Sequence, residues 1–97
     1  MYTIELTRDA LDDMKSLRKH QQRALLDGID EQLRREPTVE ARNRKRLRPN
    51  PVAEWELRLG NLRVFYNVIV DDLIVSIEAV GFKLGNLLFI RDVKTDL

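Results

Sequence analysis

The spacing of apolar positions along the chain changes period twice. "YTIEL" (2–6) alternates apolar and polar side chains and is rich in β-formers, which predicts a short strand. Thr7 stands where a helix N-cap belongs, with Asp9 in the first turn, and Ala10, Leu11, Met14 and Leu17 then recur at helical spacing. "RKHQQ" (18–22) is polar and reads as a turn. A second helix follows, with Leu25, Leu26, Ile29 and Leu33 on one stripe, and Pro37 ends it. Residues 37–53 hold all three prolines and few apolar side chains, which predicts a long loop or irregular arm. Beyond it the period becomes two. "EWELRL" (54–59), "LRVFYNVIV" (62–70) and "LIVSIEAV" (73–80) read as strands, joined by two-residue turns at Gly60-Asn61 and Asp71-Asp72. Gly81 closes the last of them, and "GNLLFI" (85–90) adds a turn and a short extended piece. The order β-α-α-β-β-β predicts an α+β fold, a helical hairpin packed on an antiparallel meander, as one domain over residues 1–97.

The two turns set a register. Leu59 pairs with Leu62, Arg58 with Arg63 and Glu56 with Phe65; across the second turn Phe65 pairs with Glu78 and Arg63 with Val80. One face then carries Trp55, Leu57, Leu59, Leu62, Val64, Tyr66, Val68, Leu73, Val75, Ile77 and Ala79, and buries against the helices. The other carries Glu54, Glu56, Arg58, Arg63, Phe65, Asn67, Ser76 and Glu78. Arg58 directly opposite Arg63 is a like-charge pair, which is destabilising unless something compensates. Two answers stand: Glu56 and Glu78 neutralise the pair, or the two guanidiniums await a phosphate, which their planar forks match.

Charge sharpens this picture more than composition does. The formal net charge is only +1, yet residues 1–36 sum to −1, residues 37–63 to +4 and residues 64–97 to −2. Within the basic island, Arg42, Arg44, Lys45, Arg46 and Arg48 fall in seven residues, a footprint that suits a polyanion. Apolar residues make up 43% and charged residues 34%, as in an ordinary globular protein. There are no cysteines and no apolar run near the ~18–20 residues of a membrane span, and "MYTIELTRDA" has no signal-peptide core, so a cytoplasmic location is expected. No P-loop, glycine-rich phosphate cradle or metal-ligand pattern occurs, so neither cofactor nor metal is expected.

The stretches "YTIELTRDALDDMKSL", "REPTVEARNRKRLRPN", "EWELRLGNLRVFYNV" and "VSIEAVGFK", in that order, resemble the RelE/ParE superfamily of bacterial type II toxins. The most specific piece is "ELRLGNLRVFY", a strand-turn-strand with an arginine-to-tyrosine signature at Arg63 to Tyr66. The resemblance implies a toxin neutralised by a cognate antitoxin, expected to offer an acidic segment. It implies one of two actions: mRNA cleavage on the ribosome, or non-enzymatic inhibition of DNA gyrase. A weakly active toxin, kept for antitoxin binding and autoregulation, is a third reading. Fold cannot choose among them.

For the first action, Arg63 matches the phosphate-contacting arginine of the family, Arg58 joins it, and Lys83 falls where cleaving toxins carry another cation. Arg42, Arg44, Lys45, Arg46 and Arg48 would grip ribosomal RNA, and Phe65 would stack on a base or be covered by a partner or by the C-terminal segment. Glu54 and Glu56 stand where the best-known member has lysines; either is a candidate base or a plain salt-bridge partner of Arg58. Phe89 stands where that member has a tyrosine. His20, in the expected helix-helix turn, is far from the sheet face, and Trp55 and Tyr66 belong to the core.

Overall fold

A computed structural model describes residues 1–97. Strand β1 (Thr3–Leu6) leads into helix α1 (Arg8–Lys15), where Thr7 Oγ1 accepts the Ala10 N–H at 3.1 Å as the N-cap. Helix α2 is Lys19–Leu33, so it begins inside the stretch expected to be a turn. Gln21 explains the early start: its Oε1 accepts the Arg18 N–H at 3.0 Å and satisfies a donor that the helix leaves open. Leu25, Ile29 and Leu33, four residues apart, are buried. Leu26 is exposed, because one residue further turns it about 100° away from that stripe. Gly28 lets α2 approach the sheet, since a Cβ there would lie 2.6 Å from Leu59 Cδ1.

The remaining strands are β2 (Arg44–Arg46), β3 (Trp55–Leu59), β4 (Leu62–Ile69), β5 (Ile74–Leu84), β6 (Leu87–Ile90) and β7 (Val93–Thr95). They form one sheet in the order β2-β3-β4-β5-β6-β7, antiparallel throughout, with β1 parallel to the first half of β5. This is the expected helical hairpin on an antiparallel sheet, with corrections at its margins. The 37–53 arm contains β2, which pairs Arg44 with Leu57, Lys45 with Glu56 and Arg46 with Trp55. Gly81 does not end β5, which runs on to Leu84, and β7 follows the expected β6 piece. The Asp71-Asp72 turn is longer than two residues: a 3-10 turn over Val70–Asp72 is closed by Leu73 at φ +54.

The register between β3 and β4 is the expected one, with Arg58 opposite Arg63 and Glu56 opposite Phe65. Between β4 and β5 it holds from Ile69 opposite Ile74 to Tyr66 opposite Ile77, then slips: Phe65 faces Ala79 and Arg63 faces Gly81. Glu78 is the extra residue of a β-bulge. Because side chains alternate with period two, everything beyond Glu78 changes face. Val80 and Phe82, not Ala79, therefore turn toward the helices, and Gly81 and Lys83 turn to the other side. The expected assignment of Ala79 to the helix face is thereby corrected, and so is that of Leu73, which is exposed.

Two apolar clusters result. Trp55, Leu57, Leu62, Val64, Tyr66, Val75, Ile77 and Val80 pack under the helices. On the opposite face Phe65, Ala79, Ala53, Leu88 and Ile90 form a second cluster, covered by Leu47, Val52 and Leu97. That face is therefore not simply polar.

Residues 78–80 of β5 lie between the end of β1 and the start of β6, where strand neighbours are missing. Helix α1 fills the notch. The Thr7 N–H donates to Ile77 O at 3.0 Å, Thr7 Oγ1 donates to Glu78 O at 3.3 Å, and the Val80 N–H donates to Asp13 Oδ2 at 3.0 Å. Asp13 also accepts from Arg91 Nη1 at 2.7 Å, tying α1 to the β6–β7 turn.

Candidate functional site

The slip at Glu78 decides which charged groups meet. Without it Lys83 would turn toward the helices; with it, Lys83 joins Arg58 and Glu56 in a cleft of about 200 Å³, also lined by Leu47, Asn86, Leu88, Thr95, Asp96 and Leu97. The Lys83 N–H donates to Asn61 O at 2.8 Å, which fixes this part of β5 against the β3–β4 turn. Arg58 Nε donates to Glu56 Oε2 at 2.9 Å. Glu56 is buried, its side chain 8% exposed, whereas Arg58 keeps 40% of its side chain in solvent. The like-charge pair is thus compensated by Glu56. Glu78 takes no part, because it accepts from Ser76 Oγ at 2.6 Å.

Arg63 is folded back on its own turn: Nη1 donates to Gly60 O at 2.7 Å and to Leu62 O at 2.8 Å, while the buried Nε has no partner within the fold. Burial lowers the Arg63 pKa from its ordinary value; the Glu56 carboxylate opposes that shift and Arg58 adds to it. Burial also pushes the Tyr66 phenol up, against a smaller opposite effect of Arg44, and its hydroxyl donates to Pro37 O at 2.7 Å. Tyr66 belongs to the core, stacked with Trp55 at 6.2 Å between ring centroids.

The other candidate residues disperse. Phe65 is completely buried at the centre of the second cluster, under Leu97 and the 47–53 loop, so its ring is not offered for stacking. Glu54 lies outside the cleft and pairs with Arg46 at 3.3 Å, both side chains half exposed. Strand β2 splits the basic run. Arg44 braces the arm against α2, donating to Val39 O, Gln32 O and Gln32 Oε1 at 3.0, 3.3 and 2.8 Å. Arg46 lies over the Trp55 ring, 5.7 Å from its centroid. Lys45, opposite Glu56, takes the cleft side of the sheet, and Arg42 and Arg48 are exposed. Phe89 stacks on Phe82, 5.4 Å apart, on the far side of the sheet from Lys83. His20 is exposed in the first turn of α2.

Sequence reasoning missed the cleft's other walls. Asn86, Thr95 and Asp96 enter it through the β5–β6 and β6–β7 hairpins, and only the Gly85-Asn86 pair, a hairpin-turn dipeptide, carried a signal for that. Asp13 was missed as well, since it reads as one more acid on an exposed helix side.

Comparison with known proteins agrees with this architecture. No protein of curated function matches the chain. One chain of the toxin–antitoxin complex RelBE2 from Mycobacterium tuberculosis is 27% identical, with a TM-score of 0.73 over 84% of this chain and 98% of that one. A chain of the archaeal RelE–RelB complex from Pyrococcus horikoshii OT3, 22% identical, shares the fold, with a TM-score of 0.67 over 88% of this chain and 97% of that one. The family model for the ParE toxin of type II toxin–antitoxin systems matches residues 4–82, from β1 through the bulge to the strand that delivers Lys83. With most of its length matched, the chain belongs to the ParE toxin family of the RelE/ParE superfamily.

Proposed function

We propose that this toxin is held inactive by an antitoxin protein and, when free, cleaves mRNA on the ribosome at the cleft of Glu56, Arg58 and Lys83. The observation that carries the reading is the bulge at Glu78, which puts Lys83 beside Arg58 and a nearly buried carboxylate. Two cations beside a nearly buried carboxylate suit a phosphodiester whose charge grows during reaction. In this scheme the ribose 2′-oxygen attacks phosphorus and the bond to the 5′-oxygen breaks, leaving a 2′,3′-cyclic phosphate and a 5′-hydroxyl. Glu56 takes the 2′-hydroxyl proton, Lys83 gives one to the departing 5′-oxygen, and Arg58 stabilises the added charge. Arg63 assists by swinging from its turn, which frees an Nε that now lacks a partner. Lys45, Arg42 and Arg48 contribute non-specific attraction to RNA.

A second reading has its own observation. Phe89 has no hydroxyl and faces away, and Glu54 is engaged by Arg46, so of the expected candidate acids and the tyrosine position only Glu56 reaches the cleft. That would suit a toxin which acts by binding a protein such as DNA gyrase.

Induction without antitoxin, followed by mapping of mRNA ends and of plasmid supercoiling, separates the two. Cleaved messages are expected, with about 10²-fold less cleavage for Lys83→Ala. Intact messages together with lost supercoiling would transfer the function to the second reading.

A further inference from the structure

A second cavity, of about 420 Å³, lies on the helix side of the sheet, where α1 meets β5, β6 and the turn before β7. Its size falls in the range of small-molecule sites. Leu17 and the stacked rings of Phe82 and Phe89 form its apolar wall, and Asp12, Asp13, Ser16, Arg91 and Asp92 its polar one. It shares no residue with the cleft of Glu56, Arg58 and Lys83.

The hydrogen-bonding capacity left open in this cavity is acceptor capacity. The Asp13 side chain is 2% exposed, and its Oδ2 is taken up by the Val80 N–H and by Arg91. Its Oδ1 is buried and has no partner within the fold. A buried carboxylate oxygen without a donor is costly, and native folds seldom leave one so. Ser16 Oγ donates its proton to Asp13 O at 2.6 Å, which leaves its lone pairs as acceptors. Asp12 and Asp92 stand exposed at the rim. Three carboxylates against one guanidinium make the lining net negative, and that guanidinium is already bonded to Asp13.

We propose that this cavity binds a linear aliphatic diamine or polyamine. An ammonium group carries three donors and no acceptor, which matches what the lining leaves open. Only one oxygen of Asp13 is open, so a compact ammonium fits better than a guanidinium fork, which seeks both oxygens. The alkyl chain covers Phe82, Phe89 and Leu17, and a second ammonium reaches Asp12 and Asp92 at the rim. A metal ion fits less well, because no three acid side chains come together closely enough to hold one. The inference does not depend on the cleavage reading, since Phe82 and Phe89 face away from Lys83 across the sheet.

The test titrates the full chain with cadaverine at low ionic strength and follows amide chemical shifts, whose dispersion also reports folding. Saturable shifts should centre on Asp13, Ser16, Val80, Phe82 and Asp92. Asp13→Asn keeps an oxygen for the Val80 N–H but puts a donor in place of Oδ1, and should weaken binding at least about tenfold. The double variant Asp12→Asn, Asp92→Asn changes only exposed positions, and asparagine tolerates the φ of +60 at residue 92, so it reports even if Asp13→Asn unfolds. It should weaken binding about fivefold. Asp71→Asn with Asp72→Asn removes the same charge from a turn outside the cavity and should leave the affinity unchanged. Pentylamine should bind more weakly than cadaverine, and magnesium chloride at equal ionic strength should not reproduce the shifts. Failure to saturate at millimolar cadaverine, or shifts spread over acids of the whole surface, would overturn the proposal. So would an equal loss in the Asp71 and Asp72 control, equal affinity for pentylamine, or the same shifts with magnesium.

Discussion

Replacing Asp13 by alanine should destabilise this toxin more than any other loss of a single acid. The Asp13 side chain is 2% exposed, and Oδ2 alone accepts both the Val80 N–H at 3.0 Å and Arg91 Nη1 at 2.7 Å. Truncation leaves the Val80 N–H in the unpaired notch of β5 with no acceptor, at a cost of about 1–3 kcal/mol. The bond to Arg91 adds about 1 kcal/mol, discounted because solvent already reaches that half-exposed guanidinium. The total of about 2–4 kcal/mol corresponds to a fall in Tm of roughly 10–30 °C for a domain of this size. Urea unfolding followed by the fluorescence of Trp55, the single and buried tryptophan, measures it directly. Arg91→Ala should cost less, and the double variant less than the sum of the two, because the residues share one bond. A midpoint for Asp13→Ala within about 0.5 kcal/mol of wild type would refute the account, since changes that touch no such feature give effects of that size.

Four other substitutions test other parts of the structure. A Cβ on Gly81 would lie 2.5 Å from Phe89 O, a backbone atom that cannot turn aside, so Gly81→Ala should cost about 1–3 kcal/mol and speed hydrogen exchange of the β5–β6 amides; unchanged exchange would contradict that packing. Arg44→Ala, which abandons three acceptors, should lower stability by about 1–2 kcal/mol, while Lys45→Ala should stay within about 0.5 kcal/mol in the same urea assay. Tyr66 ionises later in the folded chain than in the unfolded one, where its pKa is about 10, so its contribution is intact below about pH 10 and drains as pH rises beyond it, by up to about 1.4 kcal/mol per pH unit. Between about pH 9 and about pH 11 wild-type stability should therefore fall more steeply than that of Tyr66→Phe, and parallel curves would mean that the buried phenol ionises freely.

The sheet centre was legible because its strands obey a strict period of two and its first turn is a Gly-Asn pair with Gly60 at φ +60. Leu57, Val64 and Tyr66 could hardly be placed anywhere but under the helices. The margins were not legible. Strand β2 is Arg-Lys-Arg, with no β-forming side chain, and exists because the free edge of β3 and the anchoring of Arg44 to Gln32 hold it there. The start of α2 depends on one side-chain cap from Gln21 in a polar run that equally suits a turn. Phe65 sat on the face called polar because five charged residues outvoted it in the pattern. The loop and tail that bury it come from residues 47–53 and from Leu97, far away in sequence.

The largest gap between pattern and structure, the bulge at Glu78, is also where the fold makes its site. "VSIEAVGFK" alternates without a visible interruption, since both Ala79 and Val80 are apolar and either can face inward. What selects the slip lies outside the strand. Thr7 takes up Glu78 O and Asp13 takes up the Val80 N–H, so helix α1 satisfies the backbone groups that the bulge leaves beside the notch. The regular register would send Lys83 to the helix face, where its ammonium would need desolvation. The slipped register instead puts the cation in solvent next to Arg58 and gives Val80 to the core. Core packing and assembly of the charged cleft therefore favour the same one-residue shift. A substitution at Asp13, on the far face of the sheet, should for that reason disturb Lys83 as well as stability.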